Sequence, residues 1–321
     1  MRAMVFTAPN TVEMLDVAVP TIAEGDVTIT VRAAGICGSE LHGIRHTDFR
    51  KPPLVMGHEL AGVDQDGRRV TVNPLLSCGM CDRCSANEEH LCRGRLIIGI
   101  HRPGAFAETV VVPKASVYEI PDSMTFETAA MVEPLANAVH ALRLADPAAG
   151  SRIAVLGAGT IGLVSLLVAL EYSMDVTVCD LSESRLKTAL ELGAIRSSTE
   201  LTGEYDLIID AVGAESTHRT SVERLRPGGT AVWIGLLSSS TGFDGQEIVR
   251  DEKRVLGSYC YTRSDFERAL SLAEHTPLDW TTRFPLELGA TIFTELMDGR
   301  QDVIKALLCP APGPVKTRSL V

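Results

Sequence analysis

Leu156-Gly157-Ala158-Gly159-Thr160-Ile161-Gly162 is the stretch on which the fold turns. It is a G-x-G-x-x-G run set between an apolar strand pattern at 153–156 and a helical pattern at 161–172. In such a run the first glycine permits a tight turn and the second lets a pyrophosphate approach the backbone. The third allows close helix–strand packing, and the helix N-terminus attracts the phosphates. Gly157, Gly159, Thr160, Ile161 and Gly162 are therefore candidate dinucleotide contacts. The next strand pattern, 176–179, ends at Asp180, where an acid would bind the adenosine ribose hydroxyls.

Outward from the loop the alternation continues. Further strands are expected at 206–210, 231–236 and 255–261, with helices at 182–192 and 264–275. Strands alternating with helices imply parallel crossover units and a doubly wound sheet. Upstream, residues 1–120 are β-rich, with short alternating strands such as 27–32 and 69–72. An Ala-rich helical stretch, 127–144, leads into the nucleotide-binding part. The last forty-odd residues return to mixed character, with a helix expected at 290–298 and a strand at 304–308. Residues 1–120 and 279–321 are thus set apart from the alternating stretch between them.

Composition excludes several classes. Apolar residues are 45% and charged residues 22%, the balance of a globular protein. Thirty Lys and Arg against 41 Asp and Glu give a net charge of −11, which argues against a nucleic-acid partner. The N-terminus carries no charged segment followed by an apolar run, so it does not read as a secretory signal. The apolar stretch 153–170 is interrupted by three glycines and reads as strand, turn and helix, not as a membrane span. A soluble, cytoplasmic protein is expected.

Two cysteine-containing patterns suggest metal. Cys78, Cys81, Cys84 and Cys92 have the spacing C-x2-C-x2-C-x7-C. Four thiolates on one short loop can surround a tetrahedral zinc, closed to substrate and hence structural, although an iron–sulfur cluster uses the same ligand type. The second pattern is dispersed: Gly35-Ile36-Cys37-Gly38-Ser39-Glu40-Leu41-His42, then Gly57-His58-Glu59, then Val132-Glu133-Pro134-Leu135-Ala136. Together these offer one thiolate, one imidazole and one or two carboxylates. A mixed set with an open position is the signature of catalytic zinc.

With these motifs in this order, the sequence resembles the zinc-dependent medium-chain alcohol dehydrogenases over its whole length. Glutamate in V-E-P-L-A places it nearer the sorbitol, butanediol, threonine and sugar-acid dehydrogenases. The resemblance implies an α/β fold: a GroES-like, mostly-β zinc-binding catalytic domain from 1–120 and 279–321 around a Rossmann dinucleotide-binding domain at 121–278. It makes Cys37 and His58 zinc ligands, with Glu59 or Glu133 as the carboxylate. Ser39 matches the hydroxyl that hydrogen-bonds the alcohol, and His42 the far end of a proton relay. Glu40 takes the place of an aspartate that orients the ligand histidine.

The resemblance also puts Arg185 near the adenosine ribose and Val212, Gly235 and Leu236 near the nicotinamide. Phe49, Ile98, His101 and Arg102 lie where substrate-pocket residues could come from. It implies two zinc ions per chain, NAD in preference to NADP, a small-molecule alcohol or ketone substrate, and a homodimer or homotetramer. The expected reaction is hydride transfer between a secondary alcohol and NAD, giving a ketone. The rival readings are a catalytically inactive NAD-binding zinc scaffold and a zinc-ribbon nucleic-acid binder. One departure from the pattern is marked: only Leu60 to Arg69 separate Glu59 from Val70, where relatives carry a longer strand-loop excursion.

Overall fold

The computed structural model describes residues 1–45 and 49–311, and these group into two units. The first comprises residues 1–86, 91–133 and the segment from Leu278 onward. Its strands begin with β1 (Arg2–Ala8), β2 (Thr11–Asp16) and β3 (Asp26–Gly35), followed by the short helix α1 (Gly38–Gly43). Next come β4 (Leu54–Val55), β5 (Glu59–Asp64), β6 (Arg69–Val72) and β7 (Leu75–Leu76). Helix α2 (Asp82–Ser85), strands β8 (Leu96–Ile97), β9 (Thr109–Pro113) and β10 (Val117–Glu119), and helix α3 (Phe126–Ala130) complete its first part.

The shortened segment after Glu59 is a tight hairpin. β5 and β6 pair antiparallel, with Ala61 opposite Thr71 and Val63 opposite Arg69. The Asp64 carboxylate closes the turn by accepting from the N–H groups of Asp66 and Arg68, both at 2.9 Å. An Asp that satisfies turn amides in this way needs no longer loop.

The second unit holds residues 87–90 and 134–277. It is entered through α4 (Val132–Ala145) and alternates β11 (Arg152–Leu156), α5 (Thr160–Glu171), β12 (Asp175–Cys179), α6 (Glu183–Glu191) and β13 (Arg196–Ser198). Then follow β14 (Tyr205–Asp210), α7 (Glu215–Glu223), β15 (Leu225–Trp233), α8 (Gly245–Arg250), β16 (Arg254–Gly257) and α9 (Arg263–Ala273). The six strands form one parallel sheet in the order β13-β12-β11-β14-β15-β16. This is the doubly wound order, and its switch point lies between β11 and β14.

The chain then returns to the first unit as β17 (Thr281–Pro285), α10 (Gly289–Met297) and β18 (Lys305–Cys309). β18 pairs with β3, so the first unit's main sheet runs β10-β6-β5-β3-β18-β17, with β9 also on β3. Its core gathers Phe6, Ile29, Met56, Leu60, Phe106, Phe293 and Leu308, all essentially inaccessible to solvent. Burial of such side chains stabilises by about 1.5–3 kcal/mol each, before the cost of ordering the chain.

Several boundaries differ from the sequence reading. The nucleotide-binding unit begins at Pro134 and not at residue 121, because α3 packs on β3, β5 and β6 of the first unit. The single helix expected at 127–144 breaks at Met131 into α3 and α4. Pro134 has no N–H for the carbonyl four residues back, so it is accommodated in the first turn of a new helix. The strand expected to run to Tyr261 stops at Gly257, where its partner β15 ends at Trp233, and Cys260 turns the chain at φ +53°. Among the described residues no helix is long and apolar enough to cross a membrane.

Candidate metal centres and cofactor-binding loop

Register in the first unit assembles the dispersed motif. Gly35 pairs with Glu59 across β3 and β5, which brings the residues just after β3 beside those just before β5. Cys37 caps α1, its N–H donating to Glu40 Oε2 at 3.0 Å. Glu40 is fully buried. Its Oε1 accepts from the Gly57 N–H at 2.9 Å and lies 3.1 Å from His58 Nδ1. Glutamate thus reaches His58 from the place where the resemblance expects an aspartate. A carboxylate that accepts from a histidine ring in this way fixes the ring's orientation and tautomer.

The sulfur of Cys37, a ring nitrogen of His58 and a carboxylate oxygen of Glu59 all lie within 4.8 Å of one another. Glu133 is buried in the first turn of α4 and is not a member of this group. Burial depresses the His58 pKa, but the Glu40 carboxylate and Cys37 outweigh it and hold the imidazole well above its ordinary value. Burial likewise opposes Glu40, yet His58 and then Arg50 keep its carboxyl below the usual range. A convergent thiol, imidazole and carboxylate, with one carboxylate behind the imidazole, fits a divalent zinc.

Two buried cations border this group. Lys305 of β18 forms an ion pair with Glu59 and donates to the Ile36 carbonyl at 3.0 Å. Arg50 is 1% exposed. It donates to the Ser39 carbonyl at 3.0 Å and to Ser39 Oγ at 3.4 Å, while its Nε has no partner among the described residues. Ser39 and His42 lie three residues apart on α1 and are both exposed, a spacing that puts them on one helix face. Partial burial and then Arg45 lower the His42 pKa from its ordinary value.

Of the pocket candidates, Phe49 and His101 meet edge to face at 5.7 Å, and Ile98 is buried. Arg102 instead pairs with Asp26 at 3.2 Å.

The four-cysteine loop is compact. Cys78 and Cys84 sulfurs are 3.9 Å apart, Cys81 and Cys84 3.5 Å, and Cys81 and Cys92 3.8 Å. Four sulfurs at about 2.3 Å from a tetrahedral centre would stand about 3.8 Å apart. Backbone N–H donation from Cys84 leads the effects that bring the Cys81 thiol down to about 6, so a thiolate forms readily. The donor set fits a closed zinc site.

In the second unit Gly157 turns at φ +94°, and a Cβ on Gly162 would overlap the Gly157 carbonyl. The helix therefore starts hard against the loop, with Thr160 and Ile161 partly exposed in its first turn. Asp180 at the end of β12 accepts from the Ala158 N–H at 2.6 Å and the Ser182 N–H at 2.8 Å, which ties it to the loop. Arg185 follows in α6, and its buried Nε has no partner among the described residues. Val212 lies in the turn after β14; Gly235 and the exposed Leu236 follow β15.

The chain is similar to known proteins over most of its length. Residues 23–122 match the model of the alcohol dehydrogenase GroES-like domain, and 160–275 that of the zinc-binding dehydrogenases. The starvation-sensing protein RspB of Escherichia coli K12 is 32% identical over 80% of this chain and 83% of its own. The chain belongs to the zinc-dependent medium-chain dehydrogenase family. Within that family, L-threonine 3-dehydrogenase of Aeromonas salmonicida is 29% identical over 77% of this chain and 80% of its own. The solved rspB structure from E. coli CFT073, complexed with NADH, has a TM-score of 0.88 at 28% identity and covers 96% of this chain and 99% of that one. A zinc-binding dehydrogenase of Sinorhizobium meliloti 1021 bound to NADP has a TM-score of 0.89 at 28% identity, with the same coverage. This medium-chain dehydrogenase is accordingly an oxidoreductase with a GroES-like and a Rossmann domain.

Sequence reasoning missed Arg50 and Lys305. The signal for Lys305 was present, since Lys305-Ala306-Leu307-Leu308 puts an ammonium in an apolar strand, where it needs a buried partner.

Proposed function

We propose that this dehydrogenase oxidises a secondary alcohol of the polyol, cyclitol or sugar-derived class to a ketone, using NAD⁺ in preference to NADP⁺. The convergence of Cys37, His58 and Glu59 behind an exposed Ser39 carries the reading. At such a site zinc supplies Lewis-acid polarisation of an oxygen, and a bound nicotinamide supplies the hydride acceptor. Cys37, His58 and Glu59 would hold one zinc, and Cys78, Cys81, Cys84 and Cys92 a second, structural one.

The chain's own residues do the rest. Glu40 accepts from His58 Nδ1 and so leaves Nε2 to face the donor group. Ser39 Oγ would take the substrate hydroxyl proton as it passes its own on through the cofactor ribose to His42, and His42 would hand one to water. Arg50 holds the Ser39 side chain from behind. Asp180 presents a carboxylate toward the adenosine ribose, where it favours hydroxyls over a 2′-phosphate. The homo-oligomer would form through β16, whose sheet edge is open in one chain and needs cover.

The test is a panel of polyols, cyclitols, sugar acids and simple secondary alcohols, with NAD⁺ or NADP⁺ and zinc-loaded protein. Reduced cofactor should appear with at least one polyhydroxy substrate, with higher kcat/KM for NAD⁺. Equal efficiency with NADP⁺ would show that Asp180 does not face the ribose.

A further inference from the structure

The loops after β14 and β15 rest on a buried side-chain stack that none of the motifs contains. Asp210, the fully buried last residue of β14, stands in register with Leu156 of β11, at the switch point of the sheet. Its Oδ1 accepts from the Val212 and Gly213 N–H groups, both at 2.9 Å. Its carbonyl accepts from the Ile234 and Gly235 N–H groups, both at 3.0 Å. A Cβ on Gly213 would overlap the Gly235 carbonyl, so the two loops touch backbone to backbone. Asp210 thus anchors both, the first through its carboxylate and the second through its carbonyl.

The second oxygen of Asp210 faces His218 of α7. Oδ2 lies 3.0 Å from His218 Nδ1, and neither atom has another partner among the described residues. His218 is 5% exposed and stacks on the Trp233 ring at 4.0 Å and 28°. Trp233 Nε1 donates to Ser221 Oγ at 2.9 Å, and Ser221 Oγ donates to the His218 carbonyl at 2.7 Å. Packing alone would be served by an apolar ring. An imidazole whose free nitrogen meets the free oxygen of the loop-organising carboxylate does more, because a buried carboxylate without a partner is costly.

In an open α/β sheet the ligand lies beyond the carboxyl ends of the strands at the switch point. Asp180 puts the adenosine half over β11 and β12, so the other half extends over β14 and β15. We infer that His218 is a positioning residue for the nicotinamide half of the cofactor. It holds Asp210 and braces Trp233, and so fixes the backbone of 212–213 and 235–236 in the arrangement that receives the ring. The inference rests on the cofactor reading above, and His218 itself touches no cofactor.

The experiment compares NADH with ADP-ribose, which lacks the nicotinamide, by calorimetry on the full zinc-loaded chain. His218→Phe keeps the ring stack and removes Nδ1; His218→Gln keeps a donor toward Asp210. For His218→Phe, NADH affinity should fall about tenfold, the size of one broken buried polar contact, while ADP-ribose affinity stays within about twofold. His218→Gln should recover part of the loss, and it serves alone if the Phe variant does not fold. Equal weakening of both ligands, or no weakening of either, overturns the inference. A wild-type chain that binds neither nucleotide overturns the cofactor reading itself, a distinct result.

Discussion

Lys305 and Glu59 form a salt bridge in which each side chain is 1% exposed, and Glu59 is at the same time the carboxylate of the Cys37–His58 group. Burial works against the Lys305 charge, but Glu59 and Cys37 outweigh it and raise the ammonium's pKa above the ordinary value. The carboxylate thus sits between a permanent cation and the place a metal would take.

This arrangement makes the cost of removing Lys305 depend on metal. Lys305→Met leaves Glu59 buried without a cation, a loss of about 3–5 kcal/mol in the metal-free protein. With zinc loaded, the metal neutralises much of that charge. Melting of variant and wild type with and without chelator should therefore show a larger deficit in the chelated pair. A deficit independent of metal would place Glu59 outside the metal site.

Metal analysis separates the two cysteine sets. Purified wild type should hold about two zinc ions per chain, one from each donor set. Cys37→Ala should keep about one zinc and an intact fold but lose turnover. Cys81→Ala should also keep about one, with a lower melting temperature. Full activity in Cys37→Ala would refute the assignment.

His42 gives a pH signature. Its neutral form is the proton acceptor, so oxidation slows as pH falls through its pKa. Sequence alone sets that point near 6.5. Partial burial and Arg45 move it lower, so the knee in kcat/KM should lie below the free-histidine value. His42→Gln should reduce the rate on the order of tenfold to a hundredfold and abolish the knee. An unchanged profile would remove His42 from the relay.

Asp265 predicts a stability change at acid pH. Burial opposes its ionised form, but hydrogen bonds from His140, Arg143 and Thr262 outweigh it and hold the carboxyl far below the ordinary carboxylate range. A carboxylate whose pKa is lower folded than unfolded contributes stability above about pH 3.9 and loses it as pH falls from there toward the folded value. Asp265→Asn should therefore cost about 1–3 kcal/mol at neutral pH. In urea unfolding the gap between variant and wild type should narrow below about pH 4. A constant gap across that range would show that charge is not what Asp265 contributes.

The amino-acid sequence by itself determined whatever is written between near neighbours. The cysteine spacing puts four sulfurs on one loop, and the glycine run builds a turn between a strand and a helix. Strand–helix alternation at 153–273 dictates a parallel sheet, because right-handed crossovers leave little choice.

Tertiary structure decided what depends on register between distant strands. Lys305 reaches the Ile36 carbonyl across 269 residues, and only the pairing of β18 with β3 brings them together. Glu59 meets Cys37 and His58 because Gly35 pairs with Glu59, since a two-residue slip would put another side chain in that place. Arg50 and His218 belong with them: each meets its partner through packing between elements, and no local pattern encodes a contact whose geometry is set by the folded core.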